Sequence, residues 1–100
     1  MISMELVEGF DWDAGNARKS VDKPAVSQGE AEQAFFNMPA LLLEDAVHGR
    51  AEPRFHALGR TDAGRLLHVT FTLRQDGRLI RVSSARPMHR KERRFYEQAT

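Results

Sequence analysis

The 100-residue sequence contains no cysteine, which excludes a disulfide scaffold, a cysteine-ligated zinc site and a thiol nucleophile. It has no apolar run near the ~18 residues that cross a membrane. Its first residues lack the basic flank and apolar stretch of a signal peptide. We find no internal repeat, low-complexity segment or linker. With 41% hydrophobic and 29% charged residues, the sequence predicts one globular cytoplasmic domain over residues 1–100.

Sequence motifs for cofactor and metal chemistry are also missing. There is no phosphate-binding glycine loop and no Gly-x-Ser-x-Gly motif. The four histidines, at positions 48, 56, 68 and 89, include no pair at helical ligand spacing. We therefore predict neither a metal nor a cofactor. The many arginines, the histidines and one tyrosine suit metal-free phosphoryl transfer, in which fixed charges stabilise the transition state. RNA supplies its own nucleophile, the 2′-hydroxyl.

Charge is unevenly distributed along the chain. Residues 1–47 carry three basic and nine acidic side chains, whereas residues 48–100 carry twelve basic and five acidic ones, eleven of the twelve being arginine. Arginine makes forked contacts that suit phosphate. This half of the chain predicts a basic face for a polyanion, although arginines on strands and helices are often only solvated surface.

Two helices are predicted in the acidic half. Asp13 is a plausible N-cap for a first helix to about Val21. Ser27 and Glu30 have capping-box spacing for a second helix, which Pro39 ends. The second helix has an apolar stripe with helical periodicity, formed by Ala31, Ala34, Phe35 and Met38.

Strands are predicted before and after these helices. The candidates are a short edge strand at Leu6–Phe10, a short buried strand at Ala40–Leu43 and a strand at Arg54–Arg60 followed by a turn at 61–64. The next segment alternates strictly, with Leu67, Val69, Phe71 and Leu73 on one side.

Asp76-Gly77 predicts a two-residue type I′ hairpin turn. This turn pairs Leu73 with Ile80, Phe71 with Val82, Thr72 with Arg81 and Thr70 with Ser83. One face of the hairpin is then apolar and the other polar. A final helix is predicted from Met88 to about Gln98, with Met88, Phe95 and Ala99 packing inwards, Arg90 and Arg94 facing outwards, and Tyr96 between.

Three segments together resemble the BrnT family of toxins from type II toxin–antitoxin operons. The first is Phe10-Asp11-Trp12-Asp13 with the later Lys23 and Val26-Ser27, and the second runs from Arg54 to Val69. The third is the most specific, an Ile-Arg-Val-Ser-Ser-Ala-Arg strand at 80–86 followed by a Glu-Arg-Arg-x-Tyr helix at 92–96. The resemblance extends from about Phe10 to Glu97.

The resemblance implies an α+β, RelE-like fold, with two N-terminal helices packed on an antiparallel sheet and a C-terminal helix. It implies a ribonuclease that arrests growth by cleaving RNA, and the residue content described above makes this cleavage metal-independent. It also implies a BrnA-like antitoxin partner with a ribbon–helix–helix part, so that DNA is contacted only through the antitoxin.

Arginines of the motif and one lysine are the candidate catalytic residues, because two forked donors can follow the oxygens of a scissile phosphate. These residues are Arg81, Arg86, Lys23 and Arg54, and we expect them to converge near the polar sheet face. The candidate RNA-binding residues are Arg60, Arg65, His68, His89, Arg90 and Tyr96. Glu92 is expected to be structural, paired with an arginine one turn away.

The sequence departs from the family pattern before the second helix. Asn16 and Ser20 stand where the family usually has lysine and asparagine, and Pro24 stands where it usually has histidine. Two functions therefore stay open. One is an active ribonuclease toxin, in which Pro24 stiffens the loop in place of that histidine, or His68 or His89 replaces it in acid–base chemistry. The other is a catalytically weakened homologue that acts by binding its antitoxin or RNA.

Overall fold

The computed structural model describes residues 4–13, 26–37, 39–45 and 52–100. A 3-10 turn at Met4–Leu6 precedes the regular elements. In chain order these are β1 (Gly9–Phe10), α1 (Gln28–Phe36), β2 (Leu41–Asp45), β3 (Arg54–Arg60), β4 (Leu66–Arg74), β5 (Leu79–Pro87) and α2 (Arg90–Ala99). The α+β class is confirmed. No helix among these residues is long and apolar enough to cross a membrane.

The five strands form one sheet in the order β1-β5-β4-β3-β2. Strands β2 to β5 are antiparallel, but β1 pairs with β5 in parallel, so the prediction of a purely antiparallel sheet is wrong at this edge. The predicted first helix, from Asp13 to about Val21, lies outside the described residues apart from Asp13. Among those residues, α1 is the only α-helix on the N-terminal side of the central strands.

Helix α1 packs on the first face of the sheet and closes the main core. Its N-terminus is the predicted capping box. Glu30 N–H donates to the Ser27 hydroxyl and Ser27 N–H donates to the Glu30 carboxylate, each with a donor–acceptor distance of 3.1 Å. The buried core between helix and sheet consists of Val26, Ala31, Ala34, Phe35, Phe55, Ala57, Leu67, Val69, Phe71, Ile80, Val82 and Ala85. The burial of Phe71 and Val82 confirms the predicted orientation of the hairpin.

Helix α2 packs on the second face, against a smaller cluster of Leu58, Met88 and Tyr96. Tyr96 is 4% exposed and its hydroxyl donates to the carbonyl of Pro39, whereas Phe95 is 49% exposed. Met88 is buried as predicted, but Phe95 and Ala99 are exposed, so the predicted packing face is wrong for these two residues. The helix begins at Arg90, and its contact with the sheet rotates Tyr96 inwards and Phe95 outwards.

Strand β2 is also different from its prediction. It runs from Leu41 to Asp45 at the sheet edge, and its residues are half-buried or exposed, with Leu43 42% exposed. An apolar run at an edge has a neighbouring strand on one side only, so it is not buried as a central strand would be.

The hairpin of β4 and β5 has the predicted register near its turn, where Leu73 pairs with Ile80 and Phe71 with Val82. The turn itself is longer than the predicted two residues, because the strands end at Arg74 and resume at Leu79. The φ values of Asp76 and Gly77, 57° and 87°, fit a type I′ turn, but Gln75 also has a positive φ, of 52°. Further along, a β-bulge changes the register, and Thr70 pairs with Ser84 rather than with the predicted Ser83.

Candidate active site

The second sheet face carries an open polar cleft of 520 Å³ beside α2. Its position follows from the antiparallel register, which places His56 opposite Thr70 and His68 opposite Arg86. Side chains from four strands line it: Asp45, Arg54, His56, His68, Thr70, Ser83, Ser84 and Arg86. Most of this cleft is thus assembled from the polar positions of strands whose other side faces the main core.

Two histidines in this cleft are hydrogen-bonded to each other. His68 Nε2 lies 2.9 Å from His56 Nδ1, and the rings meet edge to face. His56 Nε2 lies 2.9 Å from Asp45 Oδ2, so His56 donates to that carboxylate. The Thr70 hydroxyl lies 3.1 Å from His56 Nδ1. Both ring nitrogens of His56 therefore have polar neighbours: Nδ1 lies beside His68 and Thr70, and Nε2 lies beside the carboxylate of Asp45.

The second histidine has its own carboxylate. His68 Nδ1 lies 2.8 Å from Glu92 Oε2, which α2 brings over the sheet. Glu92 also accepts a forked pair of bonds from Arg86, of 2.8 and 2.9 Å, and a 2.9 Å bond from the backbone N–H of His89. The result is a continuous chain from Asp45 through the two imidazoles to Glu92. Such a chain can accept a proton at one place and release one at another.

Burial and neighbouring charges shift two groups of this chain. Burial lowers the pKa of His68, with further lowering by Arg86 and His56, and Glu92 opposes the shift. Burial by itself raises the pKa of Glu92, but hydrogen bonds from Arg86 and the His89 backbone outweigh it and hold the pKa at about 2. At neutral pH Glu92 is an anion, and the low pKa of His68 favours the neutral imidazole.

Two of the predicted catalytic arginines, Arg54 and Arg86, lie at this cleft. Arg54 is exposed and forms no ion pair among the described residues. The terminal nitrogens of Arg86 contact Glu92, His68 Nδ1 at 2.6 Å and the Pro87 carbonyl. Arg86 therefore brings a fixed positive charge beside the imidazoles.

A third predicted catalytic residue, Arg81, is not brought into the cleft. Arg81 is on the polar side of β5, but its guanidinium binds the Asp13 carboxylate through bonds of 2.9 and 3.2 Å and lies 3.5 Å from Asp11. It is absent from the residues that line the cleft. The expected convergence of Arg81 with Arg54 and Arg86 is therefore not found. Lys23 and Pro24 lie outside the described residues.

The predicted RNA-binding residues are dispersed. Arg65 is half-buried and paired with Glu30 at 3.0 Å, on the side of α1. Arg60 is exposed at the end of β3, and His89 and Arg90 are exposed where α2 begins. Tyr96 is buried and its hydroxyl donates to the Pro39 carbonyl, so it anchors the helix and is not exposed for binding RNA. Of the six, His68 alone lines the cleft.

Two central residues of the site, Asp45 and His56, are not identified in the sequence analysis. Glu92 is named there, but not the role that Glu92 has in the site. His56 was recoverable, because alternation in β3 puts Phe55 and Ala57 inwards and so puts His56 on the opposite face. Glu92 was expected to pair within its own helix, but its partner is Arg86 on β5. Within the described ranges no cluster of three or more histidine, cysteine or acidic residues is arranged to hold a metal ion.

Comparison with protein families gives a match over most of the chain. The family model described as "Ribonuclease toxin, BrnT, of type II toxin-antitoxin system" matches residues 12–92. A search of curated proteins finds no match to the chain. The matched range contains the cleft, the histidine pair and Glu92.

Proposed function

Because the chain belongs to the BrnT family of ribonuclease toxins of type II toxin–antitoxin systems, we propose that it cleaves RNA in the polar cleft without a metal ion. One observation carries the proposal: two hydrogen-bonded histidines, each with its own carboxylate, lie beside Arg86 and Arg54 in an open cleft. The imidazoles provide proton transfer and the guanidiniums provide positive charge for a phosphodiester.

The proposed reaction needs no group from outside the protein and the RNA. An imidazole of the pair takes the proton of a 2′-hydroxyl, and the 2′-oxygen attacks the adjacent phosphorus. The bond from phosphorus to the 5′-oxygen breaks, and this oxygen takes a proton from the pair. The products are a 2′,3′-cyclic phosphate and a 5′-hydroxyl, with no net gain or loss of protons.

Two arginines support the charge that develops on the phosphate. Arg54 is exposed at the cleft, so it can contact the non-bridging oxygens directly. Arg86 has both terminal nitrogens engaged, which leaves Nε–H and its fixed charge for the substrate. Preorganised donors of this kind typically contribute about 10²–10³-fold in rate.

The family resemblance and the positive charge of the side chains support the roles proposed for the other residues, and the family resemblance supports the proposed partner. We propose that Lys23 and Arg81 act at the edge of the substrate, and that Arg60, Arg65, His89 and Arg90 contact RNA outside the cleft. We also propose a BrnA-like ribbon–helix–helix antitoxin as the neutralising partner, growth arrest as the outcome and a RelE-like arrangement of the whole domain.

The test compares purified wild type with His56→Asn, Arg86→Ala and a matched control, Arg78→Ala, which removes an exposed arginine at the hairpin turn. Each protein is incubated with a labelled RNA oligonucleotide in the presence of EDTA, and the 3′ ends of the products are analysed. We expect cleavage to a 2′,3′-cyclic phosphate by wild type and Arg78→Ala. We expect a loss of about 10²-fold or more in the other two.

Induced expression gives the matching cellular measurement. Growth arrest is expected for wild type and the control variant, and not for His56→Asn or Arg86→Ala. Equal cleavage by wild type, His56→Asn and Arg86→Ala would place the active site elsewhere. If no protein cleaves RNA but all bind the antitoxin, the chain is the weakened homologue and acts as an interaction protein.

A further inference from the structure

The carboxylate of Glu92 contacts three groups from separate parts of the chain: the Arg86 guanidinium, the His89 backbone N–H and the His68 ring. Its Oε1 accepts from Arg86 Nη1 at 2.8 Å and from the His89 backbone at 2.9 Å. Its Oε2 accepts from Arg86 Nη2 at 2.9 Å and lies 2.8 Å from His68 Nδ1. An exposed ion pair would leave such a side chain free to move. Glu92 is 23% exposed and both of its oxygens are shared between two neighbours.

His68 Nδ1 has one neighbour for each of its protonation states. When Nδ1 carries a proton, it donates to Glu92 Oε2. When Nδ1 has lost its proton, its lone pair accepts from Arg86 Nη2 at 2.6 Å. The two bonds cannot exist at once, because a ring nitrogen carries either a proton or an accepting lone pair. The site is therefore built to hold His68 in both states without moving the ring.

A proton on the histidine pair has two alternative sites. On His68 the imidazolium is beside Glu92, and on His56 it is beside Asp45. The groups that face His68 come from every neighbouring element: His56 from β3, Arg86 from β5, and Glu92 and Lys91 from α2. Of these, only Glu92 is anionic. Glu92 is therefore the group that favours the proton on His68.

We propose that Glu92 is a positioning residue of the site: it fixes the guanidinium of Arg86 and, when the two histidines take up an additional proton, it favours that proton on His68 rather than on His56. Its effect on catalysis rests on the proposed ribonuclease function. Its effect on the proton does not, because that follows from the contacts alone. Glu92 itself does not touch the substrate in this proposal.

Substitution of Glu92 separates its charge from its size. Glu92→Gln keeps the shape and an accepting oxygen but removes the charge, whereas Glu92→Asp keeps the charge on a shorter stem. Glu97→Gln is the matched control, since Glu97 is an exposed acid on the same helix. Amide NMR spectra of all four proteins confirm that each is folded before titration.

The first measurement is the NMR titration of the imidazole Cε1–H signals. We expect the midpoint of His68 to fall by about one pH unit or more in Glu92→Gln, because an opposite charge in contact is lost. It should stay near the wild-type value in Glu92→Asp and Glu97→Gln. An unchanged His68 midpoint in Glu92→Gln would overturn the proposal whether or not any of the proteins cleaves RNA.

The second measurement is the pH dependence of RNA cleavage. We expect kcat of Glu92→Gln to fall about tenfold or more and the acidic limb of its profile to move to lower pH, with partial recovery in Glu92→Asp. A uniform loss of rate with an unmoved acidic limb would contradict the role in holding the proton. Absence of cleavage by wild type would refute the proposed function, and the titration would still decide the role of Glu92.

Discussion

Individual arginines in this protein have different roles because their neighbours differ. Arg81 matches the family motif and is on the polar side of its strand, yet the Asp13 carboxylate binds it from the N-terminal segment. This hydrogen bond, together with the charges of Asp13 and Asp11, raises the pKa of Arg81 above its usual value. Arg86, five positions later, is beside two imidazoles instead. The residue type predicts phosphate binding, but the neighbouring acids decide which guanidinium is available.

Pro24 provides a residue-scale test of where acid–base catalysis occurs. If the histidine pair supplies it, Pro24→His should change the rate of RNA cleavage by less than about tenfold. If catalysis depends on position 24, the substitution should raise the rate by about 10²-fold or more. The measurement is single-turnover cleavage of one RNA oligonucleotide by wild type and Pro24→His.

The double substitution of Pro24→His with His56→Asn is the control for this test. If the pair is essential, the double variant is as slow as His56→Asn alone. Full activity in the double variant would move the acid–base function from the pair to position 24.

At the scale of elements, a single irregularity in β5 shapes the cleft. Regular alternation from Ile80 and Val82 would turn Arg86 into the main core. The bulge at Ser83 shifts the pattern by one residue, so that Ala85 is buried and Arg86 lies opposite His68 on the second face. The cleft owes its fixed guanidinium to this extra residue.

Helix α1 lies so close to β3 that one position requires glycine. A Cβ at Gly59 would overlap the backbone carbonyl of Ala34, which cannot move without the helix. We therefore predict that Gly59→Ala lowers the free energy of unfolding by about 2–3 kcal/mol. Urea unfolding followed by circular dichroism measures the change.

The matched control is Gly9→Ala in β1, where an added Cβ would meet only the Leu79 side chain at an ordinary 3.8 Å. We expect this substitution to change stability by less than about 0.5 kcal/mol. Equal destabilisation by the two substitutions would show that the close approach of α1 to β3 is not the reason why position 59 requires glycine.

For the whole molecule, the two faces of the sheet have different roles: one contributes most of the stabilising core and the other carries the candidate active site. The first face holds the main apolar core under α1. The second face combines a small apolar cluster under α2 with the polar cleft. One helix therefore serves both purposes, since α2 buries Tyr96 for stability and carries Glu92 to the histidines.

This arrangement makes stability fall in acid. The pKa of Glu92 is about 2 in the folded protein against 4.5 when unperturbed, so its contribution is complete above pH 4.5 and is lost as pH falls towards 2. The integrated contribution is on the order of 3 kcal/mol at most. The lowered pKa of His68 acts in the same direction, because folding favours its neutral form and opposes protonation from pH 6.5 downwards.

We therefore expect the free energy of unfolding, measured by urea titration between pH 7 and pH 2.5, to decline steadily. In Glu92→Gln the loss below pH 4.5 should be smaller than in wild type. A parallel decline in the two proteins would show that acid destabilisation comes from other carboxylates.

Local patterns in the sequence determined much of this protein. The capping box at Ser27, the apolar stripe of α1, the alternation of β4 and the Asp76-Gly77 turn all specify structure through neighbours within a few residues. The family motif likewise identified a BrnT chain from adjacent residues in β5 and α2, and the family model agrees. These features are local, so the sequence shows them directly.

Only the tertiary structure decided which polar residues form the site. Asp45, His56, His68 and Glu92 come from three strands and one helix, and no spacing along the chain relates them. Their contacts depend on the register of the sheet, on the bulge in β5 and on the rotation of α2 that exchanges Phe95 for Tyr96. These are set by packing over the whole domain, because each optimises burial across elements far apart in sequence.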